Sequence, residues 1–201
     1  MDITVVGEGV VMAEPDILRL HAGVEVRRAS AAESFAAARA AAARLAEALD
    51  RAGIAAQDVT TVELSLGPEY EAYPKVAAYR AVQGVEVVVR DVNRADHIID
   101  TVAGVGEEAR LNGVSFDLSD PAEALGVARV GAFRDAAAKA AQYAELAGRP
   151  LGRVVSVTED LRMGPPVPMQ RTMMAADEGN ASFRPGRQAL KVSVTLGYDF
   201  A

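Results

Sequence analysis

Ile17-Leu18-Arg19-Leu20-His21-Ala22-Gly23-Val24-Glu25-Val26-Arg27-Arg28 alternates apolar and polar side chains along its whole length. Leu18, Leu20, Ala22, Val24 and Val26 point one way; Arg19, His21, Gly23, Glu25 and Arg27 point the other. A period of two marks a strand with one face in a core and one in water. Two residues later Ser30-Ala31-Ala32-Glu33 forms a capping box. Its serine and glutamate satisfy free N–H groups at a helix start. The helix is expected to run to about Arg51 and stop at Gly53, with Phe35, Ala38, Ala42, Leu45 and Leu49 as its apolar stripe. On the N-terminal side, Ile3 to Met12 reads as a strand carrying Gly7 and Gly9. Ala13-Glu14-Pro15-Asp16 supplies turn chemistry, so the two strands are expected to pair as a hairpin.

The same pattern continues toward the C-terminus. Val59 to Leu66 places Val62, Leu64 and Leu66 on one face. Residues 67–74 read as a connection or irregular edge. Tyr79 to Arg90 is a second long strand, giving a hairpin with an extended tip. Asp91 or Asn93 can cap a short helix ending near Gly104, and Leu111 to Leu118 is a strand. Asp120-Pro121-Ala122-Glu123 opens a long helix that stops at Gly148. Its expected stripe is Leu125, Phe133, Ala136, Ala140, Tyr143 and Leu146 or Ala147. Arg153 to Glu159 and Ala189 to Phe200 are the last strands. The order is ββαββ-αβ-αββ, which predicts an α+β fold of antiparallel sheets with two long Ala-rich helices packed on them. One domain over 1–201 is expected, with two intertwined subdomains (about 1–91 and 92–201) as the finer division. Residues 161–188 form a long Pro/Met-rich loop, a length usually tied to function or disorder.

Composition excludes several chemistries. The chain has 201 residues, 50% hydrophobic and 24% charged, which suits a globular core. It contains no Cys, so disulfides, thiolate metal sites and Cys nucleophiles are excluded. A net charge of -7 argues against a nucleic-acid partner held by phosphate contacts. No apolar run is long enough for a membrane-spanning helix. The N-terminus lacks a basic region and an apolar stretch, so the chain as it stands reads as cytoplasmic; removal of a leader would make it periplasmic or extracytoplasmic.

Candidate sites are few. Gly7-x-Gly9 lacks the third glycine and the following helix of a dinucleotide fingerprint, and reads as close packing or a bulge. His21 and Glu25 share the polar face of one strand and form a weak polar site, since a histidine titrates near neutrality. His97 sits beside Asp96 and Asp100 on a solvated helix face. Tyr70, Tyr73 and Tyr79 gather at the hairpin tip, with Glu69 and Glu71 beside them, as interface residues. Met163, Met169, Met173 and Met174 line the long loop. Thioethers suit Cu(I), but with no His or Cys nearby they read as an apolar arm that docks on a neighbouring subunit. No catalytic residue, metal or cofactor is assigned.

The ordered set Ile3-Thr4-Val5-Val6-Gly7-Glu8-Gly9, Glu14-Pro15-Asp16, Gly23-Val24, Asp58, Thr60-Thr61, Val87-Val88-Val89-Arg90-Asp91 and Asn112-Gly113-Val114-Ser115-Phe116 resembles the SIMPL-domain family. Arg134 to Ala140, Leu151-Gly152 and Pro185-Gly186 extend the match across nearly the whole chain. The resemblance implies an α+β fold that self-associates and carries no settled catalytic mechanism. Bacterial relatives are described as periplasmic or oxidative-stress-defence proteins. The function expected is therefore a non-enzymatic, self-assembling, stress-related scaffold: a homo-oligomer, with an unidentified protein partner open. The competing expectation is a small-ligand protein or enzyme whose site is shared between subunits, with His21, Glu25 and the Tyr70 to Tyr79 tip as its first residues. A cation-binding acidic surface is a third.

Overall fold

The alternating faces of the strands set the architecture. The computed structural model of the protein describes residues 2–160 and 185–200. Their elements are β1 (Asp2–Ala13), β2 (Ile17–Arg28), α1 (Ala31–Arg51), β3 (Val59–Ala72), β4 (Lys75–Val89), α2 (Ala95–Ala103), β5 (Ala109–Asp117), α3 (Ala122–Leu146), β6 (Leu151–Asp160) and β7 (Gln188–Phe200). The expected order and α+β class are both found. All strand pairs are antiparallel, in a four-stranded sheet β3-β4-β2-β5 and a three-stranded sheet β1-β7-β6. The described elements form two compact units: β2 to β5 with α1 and α2, and β1, β6 and β7 with α3.

In the first unit, Leu18, Leu20, Ala22 and Val24 of β2 are buried as their alternation requires. They pack with Val85, Val87 and Val89 of β4, Leu45 and Leu49 of α1, and Ile98 and Val102 of α2. Each fully buried Leu or Val contributes ~1.5–3 kcal/mol. The serine half of the capping box forms: Ser30 Oγ accepts from the Glu33 N–H at 3.2 Å. The stripe of α1 differs at two places: Ser34 and Ala41 are buried, and Phe35 and Ala42 only half-buried. Ser34 meets the cost of burying a hydroxyl twice. It accepts from the Arg28 N–H at 3.0 Å and donates to the Tyr79 carbonyl at 2.7 Å. A phenyl ring could do neither.

The expected β1–β2 hairpin does not form. β1 pairs along its whole length with β7, from Asp2↔Asp199 to Ala13↔Gln188, while β2 lies between β4 and β5. The reason is side-chain size. Gly7 and Gly9 on β1 face α3, whose backbone comes so close that an added Cβ would collide with the Ala132 or Ala128 carbonyl. The facing stripe of α3 is alanine throughout: Ala128, Ala132, Ala136, Ala140 and Ala144. Small residues on both partners allow this close packing, and Val192, Val194, Leu196 and Tyr198 of β7 complete the core. The expected stripe of α3 is corrected accordingly. Leu125, Ala136 and Ala140 belong to the core or pack on it, whereas Phe133, Tyr143 and Leu146 are exposed.

β3 and β4 form the second expected hairpin, but it is longer than expected. Residues 67–72 continue the strand, and only Tyr73 and Pro74 turn. Register shifts between Thr61 and Glu63 and again at Glu69 to Ala72 bend its ends.

Candidate functional site

β3 is an edge strand, and among the described residues the helices reach only its start, where Val59 packs on the core. Val62, Leu64 and Leu66 are 56%, 63% and 47% exposed. Leu64 lies opposite Gln83 and Leu66 opposite Ala81. Ala81 is buried against Ala38 of α1, so this row begins where the cover of α1 ends. At the tip, the rings of Tyr70 and Tyr73 lie 5.4 Å apart and tilted. Both are exposed, Tyr73 at 85%, and Val76 stands beside them on β4. Tyr79 is separate from this pair. It is half-buried opposite Arg28, with its carbonyl engaged by Ser34. Met163, Met169, Met173 and Met174 lie outside the described residues.

The polar face of β2 holds two ion-pair clusters. In one, Arg80 and Arg27 contact the Glu25 carboxylate at 3.0 and 2.8 Å, and Arg110 stands at 3.9 Å. Arg27 also reaches Glu69 at 2.9 Å. The Arg80 hydrogen bond, with the charges of Arg80, Arg27 and Arg110, outweighs desolvation and holds the Glu25 carboxyl below the usual range. Glu25 is thus held as a carboxylate among three arginines. In the other cluster, His21 Nε2 lies 3.9 Å from Glu86. Glu86 is already held by Arg19 at 2.9 Å, and Arg19 contacts Asp117 at 3.2 Å. His21 and Glu25 therefore share a face but not a partner. Sequence reading missed Arg80, Arg110 and Glu86. All three sit on neighbouring strands, and only the sheet register brings them to β2.

A third feature is a buried carboxylate. Asp58 immediately precedes β3 and takes a two-pronged bond from Arg90, at 2.6 and 2.9 Å. That bond holds its carboxyl below the ordinary range. A cleft of about 360 Å³ lies between α1 and the end of α2, lined by Arg44, Glu47, Arg51, Asp100 and Thr101. It opens to solvent, and of the candidate residues named from the sequence it gathers Asp100 alone. No helix among the described residues is long and apolar enough to cross a membrane.

The features so described, an ion-paired sheet face and a long apolar edge, meet a family pattern that spans the chain. A family model described as SIMPL, protein of unknown function (DUF541), matches residues 3–198. The 26 kDa periplasmic immunogenic protein of Brucella melitensis is 31% identical over 214 residues, 98% of this chain and 84% of that protein. The uncharacterized protein YggE of Escherichia coli K12 is 33% identical over 190 residues, 88% of this chain and 72% of that protein. None of these names states an enzymatic activity. With two antiparallel sheets in the expected order, and a match from the first strand to the last, the chain belongs to the SIMPL family.

Proposed function

We propose that this protein is a non-enzymatic, self-assembling scaffold whose surfaces carry its activity. The observation behind this reading is the uncovered apolar edge of β3, with Val62, Leu64 and Leu66 about half exposed or more. Such an edge invites pairing with another chain unless it is blunted. The stress-related role implied by the family resemblance would act through the same surfaces. Against a catalytic reading stand the ion-paired states of Glu25 and Asp58 and the separation of His21 from Glu25 by partner. An extracytoplasmic location is part of the proposal, because the Brucella relative is named as periplasmic and a chain without Cys has no thiols to oxidise there. Fractionation of cells expressing the gene at native level checks the location; recovery only with cytosolic markers would overturn it.

The deciding test of assembly is light scattering after size exclusion, across a dilution series of the full chain. A discrete mass that is a multiple of 21.1 kDa is expected. A monomer at every concentration would sink the scaffold reading.

A further inference from the structure

Among the described residues four edge strands bound the two sheets, and they are not equally open. The β1 edge is closed by α3. The Glu8 N–H donates to Asp135 Oδ2 at 2.8 Å, and the Val6 carbonyl accepts from Lys139 Nζ at 3.0 Å. Asp135 and Lys139 also pair with each other at 2.7 Å. Two ladder groups that another strand would need are therefore occupied. The β6 edge also exposes Val155 and Val157, but two register shifts interrupt its pairing with β7, and its charges are engaged, Arg129 with Glu159 and Arg153 with Asp199. β5 carries a register shift opposite His21 and Ala22 in mid-strand. β3 carries register shifts too, between Thr61 and Glu63 and again from Glu69 to Ala72, but between them, from Glu63 to Glu69, it pairs with β4 without interruption. Between Val59 and Leu66 its one charged residue is Glu63.

We propose that this edge docks against the same edge of a second copy, β3 to β3, antiparallel about a two-fold axis at Leu64. The proposal rests on the self-assembly reading above and names its surface. A two-fold interface must be self-complementary, and the order Val62-Glu63-Leu64-Ser65-Leu66 meets that condition. Centred on Leu64, it sets Leu64 opposite Leu64 of the second copy and brings Leu66 toward Val62, where the register shift between Thr61 and Glu63 ends the regular stretch. Glu63 then faces Ser65, so no like charges oppose one another, an arrangement that would be destabilising. A shift of the axis to Leu66 would bring Glu63 opposite Glu69. The same axis carries the exposed Arg90 guanidinium beside Asp58, at the start of one β3, toward Glu69 and Glu71 at the end of the other. Opposite charges thus meet at both ends.

The absence of Cys makes the test direct. Directly opposed residues of antiparallel strands have Cα atoms about 4.5–5.5 Å apart, within disulfide range. Leu64→Cys should form a discrete dimer under mild oxidation, at least about tenfold faster than Leu111→Cys on the β5 edge or Ser65→Cys. Glu63→Cys mixed with Ser65→Cys should cross-link faster than either alone. A second variant keeps the idea exposed to refutation without oxidation. Leu64→Lys, an exposed change that leaves the core alone, should weaken association by about tenfold, the equivalent of 1.4 kcal/mol. If the wild type is oligomeric but Leu64→Cys cross-links no faster than Leu111→Cys, the β3 surface is wrong and the scaffold reading stands. A faster Ser65→Cys overturns the register. A monomeric wild type removes both readings.

Discussion

At the scale of single residues, legibility followed sequence distance. Ser30 and Glu33 are three apart, so their cap could be read directly and was found. Glu25 and Arg80 are 55 apart, and nothing local announces their contact. Ser34 shows a third case: Phe35 was expected on the buried face in its place, because a hydroxyl enters a core only where donor and acceptor await it, and those come from Arg28 and Tyr79. Asp58 carries the clearest pH prediction. The Arg90 bond lowers its folded pKa, below the unfolded value of about 3.9. The stability it adds is therefore complete above the unfolded pKa and is lost as pH falls through the folded one. The stability difference between the wild type and Asp58→Asn should stay constant from about pH 7 to 5 and shrink below about pH 4. Urea denaturation at stepped pH measures it; a difference unchanged down to about pH 3 would show that the pair does not set this term.

At the scale of elements, the strands and helices followed from periodicity and caps, whereas which face of a helix is buried did not always. For α3 the large apolar residues Phe133, Tyr143 and Leu146 looked like the core stripe, yet the alanines face the sheet. Close backbone approach favoured the smaller face, and Gly7 and Gly9 are its counterpart on β1. This makes the glycines separable by experiment. Gly9→Ala should destabilise by about 3 kcal/mol, since the obstacle is the backbone of α3 rather than a movable side chain. Gly126→Ala, on the same helix with nothing within 4 Å of its added Cβ, should stabilise by about 0.5–1 kcal/mol. Chemical denaturation of both variants reads the contrast; equal effects of the same sign would refute this account of the β1–α3 contact.

At the scale of the whole molecule, β2 to β5 form a continuous stretch of chain with its own core, set between β1 and α3 in sequence. Residues 16–117 expressed alone should therefore fold, keeping α1 and α2 and unfolding cooperatively in urea with a circular-dichroism signal. A fragment without a cooperative transition would show that this core needs the remaining strands. The sequence by itself determined the element types, their order, the start of α1 and the inward faces of β2 and β7, because period and capping are local properties; α2 and α3 begin later than their expected caps, after Arg94 and Pro121. It also determined the absence of thiol chemistry. Only the tertiary structure decided that β1 leaves its neighbour β2 and joins β7. Alternation tells a strand which face to bury but not which strand to pair with. That choice was made by size: glycines on β1 meet the alanine stripe of α3, while the leucines and valines of β2 fill the wider space beneath α1 and α2. The open edge of β3 was decided at the same level, because exposure of Leu64 and Leu66 depends on where α1 stops covering the sheet.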